Sequence, residues 1–149
     1  MDSLERSHEL KSQGFFCSQI LLLLGMELSG KDNPDLVRAM QALAGGLGFT
    51  GHNCGSLTGG ACLLGLYAGK GAADEIVDSP LDLMIMDLVK WFQQEVGAKY
   101  GGIDCDDIIK QDPANIPVLC PPIIEAVFNK VKELLVEYGY DLSGVADEG

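Results

Sequence analysis

Apolar residues recur along the chain at spacings of three and four, and no segment alternates in the two-residue rhythm of a half-buried strand. That pattern predicts an all-α fold. A first helix opens with Ser3 as N-cap and runs to Gln13, where Gly14 ends it. A second, from Phe15 to about Leu28, is apolar nearly all round, which marks a central helix. Asn33-Pro34-Asp35 combines an N-cap, a proline at the first helical position and an acid in the first turn, and starts a helix that ends at Gly45-Gly46. Ser79-Pro80 repeats the signal, and Leu81, Met84, Ile85, Leu88, Phe92 and Val96 then form one stripe before Gly97. A last long helix follows Pro121-Pro122, with Ile123, Ile124, Val127, Phe128, Val131, Leu134, Leu135 and Tyr138 on one face. Between these two, Gly101-Gly102, Pro113 and Pro117 predict irregular chain over 98–119, with one helical turn near Asp104 to Ile109. The whole reads as a compact single domain, 1–149, a bundle of about five to seven helices whose tail frays from about residue 140.

Charge narrows the partners. The 149 residues hold 22 acids against 10 bases, a formal net charge of −12, and the bases form no stripe. Such a chain repels nucleic acid and anionic membrane surfaces. Ala39 to Gly69 contains no Asp, Glu, Lys or Arg, yet Gly45-Gly46, Gly48, Gly51, His52 and Asn53 break it well short of the roughly 20 apolar residues a membrane span needs. It reads as two helices, the second deeply buried, with no membrane insertion. The start of the chain is polar and lacks a secretory pattern, so a cytoplasmic location is expected.

The chemistry rests on cysteine. Cys17, Cys54, Cys62, Cys105 and Cys120 are too few for a disulfide scaffold and odd in number, which points to metal binding, redox chemistry or core packing. No CxxC pair occurs, so the zinc-finger pattern is absent. Cys17, Cys54, Cys105 and Cys120 all fall at expected helix starts, where unpaired N–H groups and the positive end of the helix dipole favour a thiolate. Three acids, Asp104, Asp106 and Asp107, oppose that at Cys105, and Pro121 removes one N–H near Cys120. Cys54 has a Gly-rich, uncharged helix start and is the expected attacking thiol. Cys62 lies about 12 Å further along the same helix and is expected to be a buried small hydrophobe. Ordinary core thiols remain the bland alternative for the other four.

Gly46-Leu-Gly48-Phe-Thr-Gly51 spells GxGxxG, but a helix rather than a strand precedes it, so a crossing loop is expected instead of a nucleotide site. His52 is open to reading as a general base, a further metal ligand or a loop residue bonded to backbone.

Around these cysteines the chain resembles the redox-active family named for its C_GCAxxG_C_C pattern. Phe16-Cys17-Ser18-Gln19 resembles its first cysteine segment, Cys54-Gly55-Ser56-Leu57-Thr58-Gly59 resembles its CGAxxG core with Ser56 in place of Ala, and Cys105 and Cys120 fit its last two cysteines. The resemblance implies a joint role for Cys17, Cys54, Cys105 and Cys120, with Gly55, Gly59 and His52 around any cofactor. Members are often encoded near transporter genes, which implies association with a transporter system. Three readings follow: thiol/disulfide exchange with an unidentified redox partner or an iron–sulfur cluster on the four thiolates; one structural zinc; or a metal-free helical binding module. A homodimer is expected because several helices are apolar on more than one side.

Overall fold

The computed structural model describes residues 2–75 and 79–143, and the regular elements among them are helical. In order they are α1 (Ser3–Ser12), α2 (Cys17–Ser29), α3 (Pro34–Met40) with a 3-10 turn at Gln41–Leu43, α4 (Gly55–Ala68) and α5 (Leu81–Phe92). A π-helical turn at Gln93–Gly97 carries α5 into α6 (Ala98–Tyr100), followed by α7 (Cys105–Ile109), a 3-10 turn at Pro113–Asn115 and α8 (Ile116–Glu137). The all-α reading holds. No helix among the described residues is long and apolar enough to cross a membrane.

Local chemistry explains most boundaries. Asp2 rather than Ser3 caps α1: its side chain accepts the Glu5 N–H at 2.8 Å, and the Glu5 carboxylate accepts the Asp2 N–H at 3.1 Å. Asn33 accepts the Leu36 N–H as expected, at 3.2 Å. The end of α3 differs, since the α-helix stops at Met40 and passes into a tighter turn before the glycines.

The core forms where α2, α4, α5 and α8 meet. Ile20, Leu21, Leu64, Met84, Leu88, Phe92, Val127 and Val131 are completely buried there. Glycines set the spacing of α4. A Cβ on Gly59 would stand 3.0 Å from the Ser18 Cα of α2, and one on Gly60 would stand 2.6 Å from Val127 Cγ1 of α8. Each glycine costs the helix about 1 kcal/mol of intrinsic propensity, which close packing on both sides offsets. A satellite cluster of Leu22, Met26, Val37 and Met40 seats α3 on the outer face of α2.

Three expectations are corrected. α8 begins at Ile116, so Pro121 and Pro122 lie inside it and not ahead of it. The prolines deny i+4 donors to the carbonyls of Pro117 and Val118, a loss made tolerable because Val118 and Pro122 are on the exposed side. Cys62 is exposed on α4. The end of the chain is anchored further than residue 140: the Tyr67 hydroxyl donates to the Leu142 carbonyl at 2.5 Å, and the Tyr140 N–H donates to Leu135 at 2.8 Å. The remainder of the expected frayed tail, 144–149, lies outside the described residues.

Candidate functional site: a four-cysteine pocket

Cys54 and Cys105, 51 positions apart in the chain, are joined by backbone. The Cys54 N–H donates to the Ile103 carbonyl at 3.0 Å, the Cys105 N–H donates to His52 at 2.6 Å, and Asn53 and Asp104 form an isolated antiparallel bridge. The Asn53 side-chain amide adds a bond to Asp104 Oδ1 at 3.0 Å. Two short extended segments therefore hold the start of α4 beside the start of α7. Asp104 opens α7 with its N–H bonded to Asp107 Oδ2 at 3.1 Å.

Cys17 reaches the same place by another route. It is the first residue of α2, whose start is fixed by the Phe16 N–H donating to Gln19 Oε1 at 3.1 Å. Two buried polar side chains then tie that start to α3: Ser18 Oγ donates to the Met40 carbonyl at 2.7 Å and Gln19 Nε2 donates to Val37 at 3.2 Å. These bonds place the chain after α3 against Cys17, where the Gly45 and Ser18 N–H groups reach the sulfur. Gly55 completes the fit, because a Cβ there would lie 2.5 Å from Cys17 Sγ. The motif glycine next to Cys54 thus makes room for a different cysteine. Cys120 is the fifth residue of α8, within its proline-interrupted turn, so the expected helix-start position is not found for it.

The loop between α3 and α4 adopts an uncommon conformation. Gly45, Gly46, Leu47, Gly48 and Phe49 are consecutively left-handed, with φ of 65, 75, 71, 59 and 64°. Leu47 and Phe49 have a Cβ, and each costs about 1–2 kcal/mol in that region. Both are also more than half exposed. The GxGxxG run is therefore a left-handed loop between helices, and it sets Phe49 edge-on to Phe16, centroids 5.2 Å apart at 75°. Strain of this kind concentrates at functional sites.

Together these elements enclose a narrow pocket of about 60 Å³. Cys17, Cys105 and Cys120 are in its wall, Ile20, Ile116 and Ile124 supply hydrocarbon, and Lys11 is the one charged residue on the lining. Lys11 Nζ lies 5.5 Å from the Phe16 ring centroid. Cys54 is buried behind the wall.

Burial governs the thiols. It pushes all four upward, Cys54 and Cys120 to about 12, and outweighs the N–H groups that favour the Cys17 and Cys54 thiolates. The expectation of dipole-lowered thiols is thereby overturned by desolvation. The four are electrostatically linked: charge on Cys17 raises Cys54, Cys105 and Cys120, while Asp106 further raises Cys105. Cys17 shares in that mutual repulsion, while three N–H groups (Gly45, Ser18 and its own) and Lys11 favour its thiolate. Cys17 is the one thiol of the four favoured both by N–H groups and by Lys11.

Of the residues singled out in the sequence, the fold brings Cys17, Cys54, Cys105, Cys120 and Gly55 together. Gly59 serves the α2–α4 contact instead. The His52 side chain is exposed and paired with Thr50 Oγ1 at 2.9 Å, and its backbone forms the joint to Cys105. Nothing local distinguishes Lys11 and Phe49 from surface or packing residues, and Phe16 stands out in the sequence only as the neighbour of Cys17. Ser56 is 1% exposed, and its Oγ finds no hydrogen-bond partner of normal geometry among the described residues, although it favours the Cys54 thiolate. Among the described residues no group of three or more His, Cys, Asp or Glu is arranged to hold a metal ion.

A family model described as "Putative redox-active protein (C_GCAxxG_C_C)" matches residues 15–134. No curated protein and no solved structure matches the chain.

Proposed function

Because the chain belongs to the C_GCAxxG_C_C redox-active family, we propose that it carries out thiol–disulfide exchange, with Cys17 as the attacking thiol. The observation that supports this is the convergence of Cys17, Cys105 and Cys120 on one pocket wall, with Cys54 immediately behind. In the oxidising direction, the Cys17 thiolate attacks one sulfur of a bound disulfide. A mixed disulfide forms on Cys17 and the other sulfur leaves as a thiolate. A second wall thiol, Cys105 or Cys120, gives up its proton and attacks the Cys17 sulfur. The protein is left with one internal disulfide, and the substrate leaves as two thiols. Two electrons and two protons pass from protein to substrate, and the reverse sequence reduces the protein. The raised thiol pKa values keep the reduced site largely protonated, and so slow to react, at neutral pH.

The test is a thiol count before and after oxidation of the anaerobically purified protein, with mapping of the linked peptides. Loss of two thiols per chain involving Cys17, abolished by Cys17→Ser, is the expected result. The same four thiols are also the ligand type of iron–sulfur clusters and zinc. Stoichiometric iron with visible absorbance, or one zinc per chain, lost in Cys54→Ser, would replace exchange with a metal-held site.

A further inference from the structure

We propose that the pocket takes a dithiol or cyclic disulfide borne on an aliphatic chain that ends in a carboxylate. This rests on the exchange chemistry above and deepens it by naming the substrate class. Three features of the pocket carry it. Its wall holds three sulfurs, so a bound disulfide meets both an attacking and a resolving thiol without leaving. Apart from the sulfurs, Ser7 and Lys11 the lining is largely hydrocarbon, and a polar peptide thiol would lose hydration there without recovering hydrogen bonds. In a chain of net charge −12, the lining contains no Asp or Glu, and its single charged residue is the cation Lys11. Among the described residues no carboxylate pairs with Lys11. Its ammonium is held beside the Phe16 ring, at the aromatic edge that Phe16 and Phe49 form. A slender apolar chain that carries both sulfur and a negative charge matches that set of surfaces.

In the reducing direction the step balances as follows. The dithiol's first sulfur attacks the protein disulfide, its second closes onto the first, one S–S bond breaks and one forms, and two protons pass to the protein thiols.

The experiment uses full-length protein oxidised with diamide and follows the return of protein thiols with three dithiols: dihydrolipoate, dihydrolipoamide and dithiothreitol. The first two share sulfur chemistry and chain and differ in the terminal charge. General repulsion by an acidic protein would make the carboxylate slower than the amide. The proposal expects the reverse, with dihydrolipoate at least about threefold faster than the amide, as a local cation would give, and both faster than the polar dithiothreitol by about tenfold, in keeping with burial of several methylenes. Lys11→Gln should invert the acid-to-amide ratio, and Lys11→Arg should keep it. Equal or slower reaction of the acid in the unaltered protein, or a ratio unmoved by Lys11→Gln, overturns the substrate class while leaving exchange intact. Failure of diamide to form a disulfide involving Cys17 overturns the exchange reading itself, and this proposal with it.

Discussion

Gly55 and Gly65 stand ten positions apart on the same helix and show how one residue type answers two different demands. At Gly55 the space a Cβ would fill is occupied by the Cys17 sulfur, 2.5 Å away, and by the Leu43 carbonyl oxygen at 3.1 Å. At Gly65 a Cβ would meet nothing within 4 Å. Gly55→Ala should therefore destabilise the protein by about 1–3 kcal/mol, as overpacking does, and push Cys17 out of place, so that its alkylation rate changes. Gly65→Ala should stabilise by about 0.5–1 kcal/mol through helix propensity alone. Urea unfolding of the two variants measures both, and equal effects would mean that the Cys17–Gly55 contact is not a constraint.

The element that departs furthest from ordinary backbone is the left-handed loop Gly45 to Phe49. Local bonds brace its backbone, including Phe49 N–H to Ala44 at 3.0 Å, Gly51 N–H to Gly45 at 3.0 Å and His52 N–H to Gly46 at 3.0 Å. The bonds hold Leu47 and Phe49 in a conformation that side chains resist. Leu47 is 54% exposed, so Leu47→Gly forfeits little burial and relieves the strain. Set against glycine's extra entropy in the unfolded chain, a net gain of about 0.5–1 kcal/mol is expected. Differential scanning calorimetry reads it, and a loss of stability would show that the Leu47 side chain contributes more to the fold than its exposure indicates.

On the scale of the molecule, the thiols couple folding to pH. Cys54 and Cys120 titrate near 12 in the folded protein, against about 8.5 in an unfolded chain. Folding therefore favours their neutral forms. That contribution is fully present below about pH 8.5 and is lost as pH rises toward 12, because only the unfolded chain ionises them across that window. The melting temperature of the reduced protein should fall over this range, and Cys54→Val should flatten the fall. A profile with the same slope in the variant would show that burial at Cys54 does not govern alkaline stability.

Much of this architecture is legible in the sequence for a physical reason. Helical periodicity and caps depend on residues within a few positions, and Asn33, Gly14 and the stripe from Met84 to Val96 act through such local terms. Local patterning also placed Cys17, Cys54 and Cys105 at the starts of their elements. It failed at Pro121-Pro122, where a helix begun upstream absorbs residues that elsewhere end one, and at Cys62, because an apolar run does not reveal which side of α4 is uncovered. Local sequence was enough to fix the helical class, the excess of acids and the cysteine pattern of the family. What the tertiary structure alone decided is that these sulfurs meet at one pocket. Burial by segments distant in the chain outweighs the helix starts and raises all four thiols.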